Sequence, residues 1–90
     1  MTRPRTFAGP DRRWRIRWGN PGKEDGVTRD AVCDFDHHTI TVRPGLSDKR
    51  MLAALSDEVC HAHFPALDNT AVDRFSDAIA DLLERMGFKR

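Results

Sequence analysis

Asp57, Glu58 and His61 offer two carboxylates and an imidazole within a single turn, if the run Ser56-Asp57-Glu58-Val59-Cys60-His61-Ala62-His63 is helical. At about 100° per residue, Asp57 and His61 fall on one side of such a helix, and Glu58 lies between them and the apolar stripe. Two ligands one turn apart can hold a metal ion, and the neighbouring carboxylate can then serve a water as general base. The spacing is that of H-E-x-x-H, with aspartate in the first histidine's place. It also describes a solvated acidic helix face with one surface histidine. Spacing alone leaves both readings open.

The flanking pattern predicts the elements that hold this turn. Ser47 reads as the N-cap of a first helix, with Asp48 in its first turn and Leu46 and Met51 as a hydrophobic staple. Leu52, Leu55, Val59 and Ala62 repeat on one face, and Pro65 ends the helix. A second helix starts after Asp68 or Asn69. Its stripe is Val72, Phe75, Ile79, Leu82, Leu83 and Met86, and Gly87 takes the left-handed position past its end.

Upstream, residues 13–18 alternate strictly: Trp14, Ile16 and Trp18 on one face, Arg13, Arg15 and Arg17 on the other. That is a half-buried strand. A polar stretch to Thr28 reads as a loop, and two β-branched runs around Asp36-His37-His38 read as a hairpin. The expected fold is α+β, a three-stranded antiparallel sheet followed by two helices packed on one face. Residues 1–12, with two prolines and a glycine, read as a loose basic arm, and 13–90 as a single domain.

From Cys33 onward the chain resembles the small phage- and bacterium-borne proteins of the minimal gluzincin and SprT-like metallopeptidase group. The resemblance runs through Cys33-Asp34-Phe35-Asp36, Thr39-Ile40-Thr41-Val42, Pro44-Gly45-Leu46-Ser47, Asp57-Glu58-Val59-Cys60-His61-Ala62, Phe64-Pro65, Leu67-Asp68 and Met86-Gly87-Phe88. It covers about two-thirds of the chain, in order, with no single decisive motif. It implies a zinc-dependent peptidase with Glu58 as base, His61 as second ligand and Asp57 in the first ligand's place. An acidic third ligand near the start of the second helix falls best on Asp73, because Asn69 and Thr70 stand where such proteins often carry glutamate.

The departures have physical consequences. Aspartate is shorter than histidine and draws the ion closer to the helix. Two carboxylates with one imidazole would neutralise a dication, leave its water less acidic, and accept manganese or iron as well as zinc. A weakened zinc peptidase, a site retuned to another metal, and an inactive fold kept for binding all remain open. The first two imply a peptide or protein substrate lying extended along a sheet edge.

The other histidines and the cysteines fit plainer roles. Cys33, Cys60, His37, His38 and His63 lack the paired spacing of a structural zinc site. Net charge is +1, yet residues 1–18 carry six arginines against one aspartate, while from Asp57 to Arg85 seven carboxylates face two arginines. The row Arg13, Arg15 and Arg17 could meet nucleic acid or carboxylates of a neighbouring element, the basis of an alternative reading as a catalytically silent binding module. Two cysteines, 39% hydrophobic residues and no long apolar run point to a reduced cytoplasmic setting, without export signal or membrane span. Nothing in the pattern separates monomer from homodimer.

Overall fold

The computed structural model describes residues 3–88. Its strands are β1 (Thr6–Ala8), β2 (Arg13–Trp18), β3 (Lys23–Glu24), β4 (Val27–Thr28), β5 (Ala31–Asp34) and β6 (Thr39–Val42). Two helices follow, α1 (Asp48–His63) and α2 (Asn69–Arg85).

The fold is α+β as expected, but the sheet is four-stranded and mixed, in the order β1-β2-β6-β5. The expected all-antiparallel, three-stranded sheet is corrected at two places. Within the segment read as a loose arm, Thr6–Ala8 forms β1 and pairs antiparallel with β2. β6 runs parallel to β2, with Arg15 beside Thr39 and Trp18 beside Val42. Residues 19–30 carry the chain past the end of β6 to β5, and β5 itself runs back antiparallel, so that β6 returns alongside β2 in parallel. β6 takes the central place because it is the more apolar of the last two strands: Ile40 and Val42 are wholly buried. β5, which carries Asp34, is left at the edge.

The stretch expected as a plain loop contains the β3–β4 hairpin. Its two turn residues, Asp25 and Gly26, both have positive φ, as a tight Asp-Gly hairpin turn demands.

Both helix starts match their sequence signals. The Ser47 side chain accepts from the Arg50 N–H at 3.3 Å, and Asp68 accepts from the Ala71 N–H at 3.2 Å. Leu46 and Met51 are both buried across the first cap. α2 ends in a Schellman motif. Gly87 at φ 88° donates to the Glu84 carbonyl and Phe88 donates to that of Leu83.

Helix packing departs from expectation in a way that matters for the site. α1 lies against β5 and β6 on one side and carries α2 on the other. Its fully buried positions are Met51, Ala54, Glu58 and Ala62, while Leu52, Leu55 and Val59 are only partly covered. The buried stripe is thus turned by about one residue from the apolar one, and Glu58 goes inside. α2 sits on α1 through Val72, Ser76 and Ala80, small enough for close approach. Phe75, Leu82 and Met86, expected in the stripe, stay more than half exposed.

A close approach at Gly9 closes the β1–β2 turn. A Cβ there would strike Cδ1 of Trp14, with its Nε1 at 2.6 Å and the Arg12 carbonyl at 2.7 Å. Trp14 is a core residue and the carbonyl is backbone, so neither yields freely. Gly9→Ala should therefore cost about 1–3 kcal/mol of stability, measured by urea unfolding. A loss below about 0.5 kcal/mol would mean that the turn is looser than this geometry.

Candidate metal centre

The turn of α1 from Asp57 to His61 projects from the helix flank that borders both β5 and the start of α2. One donor atom each from Asp57, Glu58 and His61 can be chosen so that all lie within 4.8 Å of one another. His61 Nε2 stands 3.7 Å from Asp57 Oδ2. Among the described residues these three form the group that could hold a metal ion. Donors on one ion at about 2.0–2.2 Å stand no more than about 4.4 Å apart. Side-chain adjustments of a few tenths of an ångström therefore bring the set to ligating geometry.

Glu58 is only 7% exposed. Burial, reinforced by the charge of Asp57, pushes its carboxyl up to about 7, while the Arg29 guanidinium pulls the other way. Burial also raises Asp57, to about 6, and a hydrogen bond shared with Asp73 adds to the effect. Asp73 thus reaches the cluster through Asp57. It lines the same cleft but stands outside the group of three. The result is partly buried acidity that neighbouring cations do not neutralise. Arg29, the nearby guanidinium, is engaged with Glu24 at 3.3 Å.

The cleft is open and lies between α1, the start of α2 and β5. Arg29, Cys33, Phe35 and Asn69 complete its walls around the carboxylates. β5 pairs with β6 on one side only, so its other edge borders this cleft.

Cys33 faces the cluster from β5, although its spacing in the sequence excluded it only from a structural zinc site. Burial, followed by the charge of Glu58, pushes its thiol up to about 12. It is therefore a neutral thiol, unsuited to act as nucleophile or thiolate ligand. Its place was hidden because opposing a helix residue depends on the sheet order. Arg29 and the β3–β4 wall were missed too, although Asp25-Gly26 carried a usable hairpin signal.

The remaining histidines do not join the centre. His37 pairs with Asp34 in the β5–β6 turn, Nδ1 to Oδ2 at 2.8 Å, and holds the Asp34 carboxyl below its ordinary value. His38 takes a left-handed turn conformation at φ 49°, edge-on to Trp14. His63 Nε2 lies 2.7 Å from the Ala8 carbonyl and ties the end of α1 to β1. Arg13, Arg15 and Arg17 are exposed on β2, away from the cleft. No helix among the described residues is long and apolar enough to cross a membrane.

No protein-family model, no curated protein and no solved structure matches the chain.

Proposed function

We propose that the chain is a small metal-dependent hydrolase of peptide bonds, with Asp57 and His61 holding a divalent cation and Glu58 acting as general base. The observation that carries this reading is the burial of Glu58 beside Asp57 and His61, on the wall of a cleft that borders a free strand edge. A structural carboxylate on a solvated helix face has no need to be inside.

The donor set fits a cation of the zinc, manganese or iron class, since one imidazole and carboxylate oxygens suit all three. When bound, such a cation supplies Lewis acidity, acidifying a water and polarising a carbonyl. The chain's own residues supply the rest. Glu58, raised to about 7, is poised to take a proton near neutrality. It accepts that proton as the water oxygen bonds to the peptide carbon, then delivers it to the departing amine as the C–N bond breaks. Asp73 lies beside Asp57 on the same cleft and adds negative charge behind that ligand. An extended substrate can add to the edge of β5, which places its backbone along the cleft.

The test is release of peptides from a disordered protein such as casein. Cleavage is expected with added zinc, manganese or ferrous ion and should fall to background with chelator. No cleavage with any of the three would contradict the reading and leave a silent binding module in its place.

A further inference from the structure

We infer that the sheet face opposite the helices is a binding surface for the phosphate backbone of nucleic acid, carried by Arg13, Arg15 and Arg17. This is independent of the cation site, which lies on the helix side.

β2 is an interior strand, between β1 and β6. Trp14 and Ile16 are buried beneath the sheet, so the alternate positions 13, 15 and 17 all point outward and are exposed. Their Cα positions recur at intervals of about 6.6 Å, twice the rise per residue of a strand, and the Arg17 guanidinium lies beside Gly19. The directly opposed neighbours on this face are Ala8 and Thr6 on β1 and Thr39 and Thr41 on β6. None of these is a carboxylate. Asp34, opposed to Thr39 on the far edge strand, is engaged by His37. Arg13 donates to the Thr6 hydroxyl at 3.0 Å, and among the described residues none of the three arginines forms an ion pair.

Four arginines elsewhere do find carboxylates: Asp30 receives both Arg43 and Arg50 at 2.8 Å, Arg29 meets Glu24 and Arg85 meets Asp81. What sets β2 apart is that three like charges follow one another on a single strand face with no carboxylate among their cross-strand neighbours. Their repulsion is relieved by an extended partner carrying regularly spaced anions, and the planar guanidinium matches phosphate oxygens two at a time. Nucleic acid fits better than an anionic membrane, because this face adds only Ala8 and Val32 as apolar side chains and nothing large enough to enter lipid. Trp14 is buried on the other side, so bases have no stacking platform here. Binding should thus be independent of sequence and governed by salt.

Fluorescence anisotropy with a labelled DNA duplex, over a series of salt concentrations, tests this. Three phosphate contacts predict that log K falls against log salt with a slope of about −2.7. Arg15→Gln should lower the magnitude of that slope by about 1, and the triple Arg→Gln variant at 13, 15 and 17 should lose binding. The triple Arg→Lys variant should keep the slope, separating charge from any folding defect, with far-UV circular dichroism run on each. No binding at low salt, an unchanged slope in Arg15→Gln, or tighter binding to phosphatidylserine vesicles than to DNA would each overturn the inference.

Discussion

Glu58→Gln should reduce peptide hydrolysis by about 10²–10⁴-fold while cation affinity stays within about threefold. The substitution keeps the shape and burial of the side chain and removes only its ability to take a proton. Placing Glu58 as the base rests on where the fold puts it. Buried at 7% exposure, it is held near pH 7 by loss of water and by Asp57. A carboxylate at its ordinary acidity would be a far weaker base at neutral pH. Single-turnover cleavage measured alongside cation binding separates the two roles. Equal rates in variant and parent would remove Glu58 from proton transfer. An affinity loss of tenfold or more would make it a ligand instead.

The same burial makes the metal-free protein less stable as pH rises. Glu58 titrates at about 7 in the folded chain against 4.5 when free, and Asp57 at about 6 against 3.8. Both values are raised, so the folded state binds more protons than the unfolded one between the two limits. The contribution is fully present below the unfolded values and is lost as pH climbs through the folded ones. For Glu58, at about 1.4 kcal/mol per pH unit, the difference is of order 3 kcal/mol.

Other carboxylates titrate as well, and Asp34, held low by His37, acts in the opposite direction. The clean quantity is therefore parent against Glu58→Gln. By urea unfolding without metal, the variant should gain on the parent by of order 3 kcal/mol between about pH 5 and about pH 8. A stability difference that does not change with pH would mean that Glu58 is solvated.

Much of this was legible in the chain, and the reasons are local. The Arg–Trp alternation of β2 declared both faces of that strand. Ser47, Asp68 and Gly87 marked helix ends through hydrogen bonds that span only a few residues. The i, i+4 spacing brought Asp57 and His61 together without any tertiary information. Asp73 was suggested only by the family resemblance; it lines the same cleft but stands outside the group of three.

What stayed hidden depends on long-range pairing. Nothing near β2 says that β6, rather than β5, lies beside it. That choice reflects the greater apolarity of Ile40 and Val42, seen only against the finished core. α1 is covered from two sides, so its buried stripe did not follow the apolar residues, and the inward turn of Glu58 could not be read from them. On α2 the pattern marked an apolar face correctly. Phe75, Leu82 and Met86 nevertheless remain in solvent, because α1 is reached through Val72, Ser76 and Ala80 instead. An amphipathic pattern identifies a face and is silent about what covers it.

Calorimetric titration of the metal-free protein with manganese and with zinc bears most directly on whether Asp57 and His61 form a cation site. One ion per chain is expected to bind, with affinity falling at least tenfold, about 1.4 kcal/mol, in each of Asp57→Ala and His61→Ala. Absence of binding by either metal, or equal affinity in parent and both variants, would contradict it.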